Sequence, residues 1–255
     1  MDPAAIIGLV AAFAIVFTSV ILEGGHIGSL FLVAPLLLVF GGAICATMTG
    51  GTLPDTIAFG KNFIAALTAK KVDAGASVDT IVKLAERARK EGLLALEDAI
   101  KEVNDPFLKD GLQLAVDGTD PEELREILEG QIEAKKKRDK NASKYFENLG
   151  AFAPTIGIIG TTTGLIHALE NLAEPEKLGH VIAAAFVATL WGLLSSNLMW
   201  LPISNRIKRV SELEVDQMNL SIEGIMAIQA GANPRLVAQK LKSLLPNPAP
   251  AKAAA

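Results

Sequence analysis

Four stretches of the chain carry no Asp, Glu, Lys or Arg: Pro3 to Leu22, Ile27 to Met48, Asn148 to Leu169 and Gly179 to Ile203. A helix rises about 1.5 Å per residue, so each stretch is long enough to cross a hydrocarbon core of about 30 Å, which takes about 20 apolar residues. The pattern predicts an all-α integral membrane protein with four transmembrane helices. No Lys or Arg precedes the first stretch, which starts after Met1-Asp2, so it reads as a retained span and not as a cleaved signal.

Between and after these stretches the polar positions follow a helical period. Val78 to Lys90 places Ile81, Leu84, Ala85 and Ala88 on one stripe, and Gly92 supplies a stop. Leu93 to Val103 continues as a second amphipathic helix with Leu93, Leu96 and Ile100 inward, which makes a helical hairpin. Asp105-Pro106 and Asp117-Gly118 are turn signals, and Asp120-Pro121-Glu122-Glu123 opens a helix with acidic residues toward the positive end of its dipole. That helix runs through Leu124, Ile127, Leu128 and Ile132 into the third span. Ser204 to Ile228 keeps the helical period after the fourth. The expected organisation is residues 3–48, spans one and two; 49–147, a large helical cytoplasmic domain; 148–203, spans three and four; 204–245, a cytoplasmic C-terminal helical region; and 246–255, a Pro- and Ala-rich disordered tail.

Charge gives the orientation. All the charges of this 255-residue chain, whose net charge is -4, lie outside the four stretches. That segregation argues against a compact soluble enzyme. Lys135, Lys136, Lys137, Arg138, Lys140 and Lys144 precede the third span, and Arg206, Lys208 and Arg209 follow the fourth, so the large loop and both termini are expected in the cytoplasm. His26, His167 and His180 then fall toward the outer face as interfacial side chains without an assigned role. Cys45 is alone and reads as a small apolar residue.

Spans three and four are the unusual ones. Gly157, Thr161 and Gly164 share one face of span three, with Thr155 and Thr162 on a neighbouring face. Ala185, Ala188, Thr189, Gly192 and Ser196 line one side of span four. Small residues let helices approach closely in lipid, which accounts for the glycines by packing alone. Thr189 lies near mid-membrane with Thr161 to Thr163 at similar depth, where a hydroxyl lowers the barrier for an ion or water more than it improves packing. Yet ion-driven proteins normally carry an ionisable residue inside the bilayer, and these spans contain none. A partner must supply it. Pro154 and Pro202 lie near the cytoplasmic ends of spans three and four, where a missing hydrogen bond either permits movement or merely marks a helix end. Metal-ligand spacing, a phosphate-binding loop and a nucleophile motif are absent from the sequence, so no enzyme, cofactor or nucleic-acid partner is expected.

Four segments carry a family resemblance. Ala153-Pro-Thr-Ile-Gly-Ile-Ile-Gly-Thr-Thr-Thr-Gly-Leu-Ile-His167 resembles the third span of the flagellar stator subunits of the MotA family, and Ala188-Thr-Leu-Trp-Gly192 resembles their fourth. Glu223-Gly-Ile-Met-Ala-Ile-Gln-Ala-Gly-Ala-Asn-Pro234 is similar to their cytoplasmic tail, and Arg89-Lys-Glu-Gly-Leu-Leu-Ala-Leu-Glu97 to their cytoplasmic hairpin. The resemblance implies a channel subunit of the bacterial inner membrane that assembles as a pentamer around two copies of MotB, each bringing one helix with a titrating Asp. It implies that Thr189, with Thr155 and Thr161, borders the ion path; that Pro154 and Pro202 transmit a conformational step; and that Arg89 and Glu97 meet charges on the rotor protein FliG. Protons are the expected ion, because sodium-driven members tend to carry a hydroxyl where this chain has Ala188; Thr161 points toward sodium. An energiser of the ExbB and TolQ type, a solute transporter and a membrane scaffold are the alternatives. Relatives usually have apolar residues at Thr162 and Thr163, so those hydroxyls either hydrate the path or bond back to their own helix.

Overall fold

A computed structural model of the chain describes residues 2–70, 72–170, 172 and 175–245. The tail expected to be disordered, 246–255, lies outside the described residues. The fold is all-helical, with no strand among the described residues.

The chain divides into two compact units, one formed by Met1–Lys70 with Arg138–Val210, the other by Lys71–Lys137 with Ser211–Ala255. By packing the units part at 70/71, 137/138 and 210/211, a different division from the bounds 48/49, 147/148 and 203/204 drawn from the change in charge.

In the first unit, α1 (Ala4–Leu22) has no buried residue. The second apolar stretch is shorter as a helix than its sequence suggested. Ile27–Leu30 is a single 3-10 turn, and the helix proper starts at α2 (Val33–Leu36), widens into a π turn (Leu37–Gly41) and ends as α3 (Gly42–Thr49). Pro35 explains the late start: its ring fits the first turn, where backbone N–H groups lack partners anyway. Among the described residues three helices are long and apolar enough to cross a membrane, and Val33–Thr49 is a shorter apolar one. A helix absent from the sequence reading follows, α4 (Leu53–Leu67), started by a capping box in which Thr52 hydroxyl and N–H both reach the Asp55 carboxylate. Its Phe59 and Phe63 pack on Tyr145, Phe146 and Trp200.

Third and fourth are α8 (Pro121–Glu170), and α9 (Pro175–Leu194) continued through a π turn (Ser195–Trp200) into α10 (Leu201–Gln229). At one end of this unit Arg206 binds Asp2 at 2.8 Å, Asp2 N–H donates to the Ala69 carbonyl at 3.1 Å, and Glu147 takes both Lys208 at 2.9 Å and Lys144 at 3.0 Å. The chain's start, the end of α4 and the start of α10 are therefore at one level. Many large apolar side chains remain exposed, including Ile7, Val10, Ile15, Val33, Leu37, Ile158, Ile159 and Phe186. So much contiguous apolar surface calls for lipid or other apolar helices as its covering.

The second unit has a conventional apolar core. α5 (Ala74–Glu91) buries Val78, Ile81, Leu84 and Ala85, and α6 (Leu96–Lys101) buries Leu96 and Ile100, on either side of Gly92 at φ 85°. The hairpin predicted from periodicity is therefore present. Asp105-Pro106 is more than a turn: Asp105 accepts from the N–H groups of Phe107 and Leu108 and starts α7 (Pro106–Val116). Leu124, Leu128 and Ile132 of α8 join the core, while Ile127 stays partly exposed. α11 (Pro234–Ser243) buries Val237 and Leu241 and packs along α5.

The tail motif is an architectural joint in this unit. Gly224 lets Ile81 approach so closely that a Cβ there would sit 2.5 Å from it. Gly231 at φ 65° ends α10, with Ala232 N–H reaching back to the Ala227 carbonyl, and Asn233-Pro234 caps and opens α11.

Candidate functional site

Small residues set the geometry of the α8–α9 seam. A Cβ on Gly164 would lie 2.7 Å from Ala185 Cβ; on Gly160, 2.7 Å from Ala188 Cβ; on Gly157, 2.8 Å from the Ala188 carbonyl oxygen. On Gly192 it would lie 2.7 Å from the Ala153 carbonyl oxygen and 3.2 Å from Pro154 Cα. Two antiparallel backbones thus run almost in contact, the close approach expected of small residues in lipid. Trp191, next to Gly192, is fixed by an N–H bond to the Leu30 carbonyl at 2.6 Å and by rings of Phe13, Phe31 and Phe40.

Hydroxyls fill the middle of that seam. Thr161 Oγ1 contacts Thr189 Oγ1 and lies 3.1 Å from the carbonyl oxygens of both Gly157 and Ala185, and Thr189 donates to Gly157 at 3.2 Å. Each of these carbonyls also accepts its own helix's N–H, so the two hydroxyl hydrogens leave surplus lone pairs on the hydroxyl oxygens. Of the three threonines expected at the ion path, Thr161 and Thr189 are together. Thr155 is elsewhere, exposed on the outer face of α8, with its hydroxyl returned to Phe152 at 2.8 Å. Thr162 and Thr163 are also exposed and bond back to Ile158 and Ile159, the second of the two alternatives for them. The outer face of α8 therefore alternates Thr155, Ile158, Ile159 and Thr162, apolar with hydroxyls tied down.

The prolines interrupt helices without breaking them. Pro154 lies inside α8, and the carbonyl of Gly150, which loses its usual donor, receives the hydroxyl of Ser196 at 2.6 Å. Exposed Pro202 follows the π turn, in which Leu201 N–H donates to Ser196 five residues back. Ser196 had been read only as part of a small-residue stripe. The signal that could have found it is the position four before Pro154, set against a hydroxyl in the facing helix.

Arg89 and Glu97 are exposed in the last turn of α5 and the first of α6, and neither makes an ion pair among the described residues. Their neighbours Asp98 and Lys101 are paired at 2.8 Å, as are Arg87 and Glu91 at 3.2 Å. Deeper in the same unit, Glu223 of α10 bonds Lys240 of α11 and Arg125 of α8, the latter at 3.0 Å. Chiefly the Lys240 bond, and then that of Arg125, holds the Glu223 carboxyl below its ordinary value.

Exposed apolar helices, a tight small-residue seam and an acceptor-rich hydroxyl cluster define a subunit of the membrane channel class, one built to be surrounded by further apolar helices. Residues 99–220 match the MotA/TolQ/ExbB proton channel family, and residues 6–92 match the motility protein A N-terminal family. Motility protein A of Bacillus subtilis (strain 168) is 35% identical over 254 residues, covering 96% of this chain and 92% of the relative. The structure of C. jejuni MotAB superposes with a TM-score of 0.90 at 30% identity over 98% of both chains, and that of the flagellar MotAB stator complex from Bacillus subtilis with 0.88 at 34% identity over 96% of both. The chain belongs to the MotA/TolQ/ExbB proton channel family, as an ion-conducting stator subunit of the flagellar motor.

Proposed function

We propose that this subunit surrounds a partner helix that carries the missing carboxylate, and converts ion passage past that group into rotation. The observation that carries the reading is the α8–α9 seam: hydroxyl oxygens with surplus lone pairs at Thr161 and Thr189, in spans that hold no Asp, Glu, Lys or Arg. The partner is MotB, present in two copies, and the subunit assembles as a pentamer around them; the likeness to MotAB complexes supports this. Thr155 lies on the α8 face available to the MotB helices, and Thr161 and Thr189 border the path behind it. Pro154 and Pro202 carry the conformational step to the second unit, where Arg89 and Glu97 engage FliG.

The chain crosses the inner membrane four times, the second time on the short helix Val33–Thr49, with both termini in the cytoplasm. The contacts of Asp2 with Arg206 and with the Ala69 backbone support this, because they require the N-terminus, the loop after span two and the segment after span four on one side. The local excess of Lys and Arg assigns that side to the cytoplasm. Protons are the coupling ion, since Ala188 offers no hydroxyl beside Thr189.

Co-expression with MotB tests the assembly. A stable complex that conducts protons in vesicles, and loses conduction when the partner's intramembrane Asp becomes Asn, is expected; conduction or solute uptake by this chain alone would overturn the reading. Swimming speed should be flat against external sodium at fixed pH. A steep sodium dependence would reverse the ion assignment.

A further inference from the structure

Ser196 is bonded at both proline interruptions. Its hydroxyl, in a residue only 2% exposed, donates to the Gly150 carbonyl that Pro154 leaves without its donor one turn later in α8. Its own carbonyl accepts from Leu201 N–H in the widened turn directly before Pro202. Neither contact is incidental to shape. Gly192, one turn before Ser196, is pressed against Ala153 and Pro154, and Gly150 is so close to Leu201 that a Cβ there would lie 2.6 Å from the Leu201 side chain. The two helices are held in contact on both sides of the hydroxyl.

A proline inside a helix normally loosens the chain around the freed carbonyl, and in a water-poor setting that carbonyl needs a donor from a neighbouring helix. Here the donor belongs to the helix carrying the other proline. We propose that Ser196 is a positioning residue that ties the carbonyl freed by Pro154 in α8 to the π turn ahead of Pro202, so that the two segments shift together. The proposal rests on reading these prolines as sites of conformational coupling. A serine that only filled space would tolerate any residue of its size, whereas a coupling donor requires the hydroxyl.

Two measurements on the complete stator complex test it. Thr and Val have nearly the same shape and differ in the hydroxyl, so Ser196→Thr and Ser196→Val impose the same extra methyl. Ser196→Thr should keep torque in tethered cells, and Ser196→Val and Ser196→Ala should lose about tenfold, with co-purification of the partner unchanged in all three. Equal torque for Thr and Val variants would overturn the proposal. The second is a thermal-unfolding cycle in detergent. Ser196→Ala should lower Tm by about 2–4 °C with Pro154 present and by much less in a Pro154→Ala background, where residue 154 again supplies its own N–H. Equal losses in both backgrounds would overturn the link to Pro154. Normal rotation of Pro154→Ala alone would instead sink the coupling role of the proline, while the unfolding cycle still decides whether Ser196 serves it.

Discussion

Thr189 and Thr161 meet hydroxyl to hydroxyl between α8 and α9, and both also reach the Gly157 carbonyl. The two hydroxyl hydrogens leave lone pairs on the hydroxyl oxygens free to stabilise a passing cation or a hydrated proton. Thr189→Ser keeps that oxygen and should keep conduction. Thr189→Val keeps the shape without it and should lower ion flux and torque at least about tenfold, corresponding to about 1.4 kcal/mol on the barrier. Because one interhelical hydrogen bond in a membrane contributes only about 0.6 kcal/mol on average, the complex should still assemble. Proton influx into energised vesicles, with the amount of complex quantified, separates the two effects. Equal flux in the Val and Ser variants would remove Thr189 from the path.

Gly192 has no room for a side chain, because a Cβ there would lie 2.7 Å from the Ala153 carbonyl oxygen, a backbone atom that cannot swing aside. Gly192→Ala should therefore separate α9 from α8, cost about 1–3 kcal/mol and reduce the yield of assembled complex. Gly130, in α8 and with nothing within 4 Å of its hypothetical Cβ, is the control. Gly130→Ala should be neutral or stabilising by about 0.5–1 kcal/mol. Thermal unfolding of the two purified variants compares them directly.

What the sequence made legible follows from which forces act locally. Absence of charge and a 3.6-residue period are properties of single segments, so α1, the hairpin of α5 and α6, and the helix from Pro121 could be read directly. The stripe Ala185, Ala188, Gly192, Ser196 was also visible, since it lies on one helix. Its register against Gly164, Gly157, Pro154 and Gly150 was not, because that is set by the approach of two segments far apart in sequence. The start of the second apolar helix was misplaced by an apolar 3-10 turn, Ile27–Leu30, which hydropathy cannot distinguish from a helix. Asp105-Pro106 signals both a turn and a helix start, and only the Asp105 bonds to Phe107 and Leu108 show that it also opens α7. Glu223 and Gly231 belong to the tail motif, and their reason is visible only once α11 is seen on α5.

Glu223 gives a pH dependence with a definite sign. Lys240 first, and Arg125 second, hold its folded carboxyl below the ordinary glutamate value of 4.5. Unfolded, the group binds protons more readily, so its contribution to stability is complete above that ordinary value and is lost as pH falls through the lower, folded one. Both cations are substantially exposed, which limits the contribution to about 1 kcal/mol. Glu223→Gln should lower Tm at pH 7 by a few degrees, and the difference from the parent should vanish once pH is well below the folded value. A gap that persists unchanged into strong acid would show that packing, and not the charge, is what Gln fails to reproduce.

Arg89 offers the sharpest separation of structure from function. Its side chain is exposed in the last turn of α5 and without an ion pair among the described residues, while the helix is anchored by the buried Val78, Ile81, Leu84 and Ala85 before it. Reversing the charge removes a cation from the last turn of a helix and places an anion there, which costs about 0.3–1 kcal/mol through the helix dipole. That is too little to unfold the unit. Arg89→Glu should therefore leave membrane insertion and partner co-purification intact and abolish or strongly reduce rotation, because a surface charge acts by steering and matching a partner more than by stabilising its own fold. Asp98→Asn, which removes a neighbouring charge already committed to Lys101, is the matched control and should swim normally. The recovery of rotation by a compensating charge reversal on the rotor would identify the contact as electrostatic. Unimpaired rotation of Arg89→Glu by itself would take the hairpin out of the rotor interface.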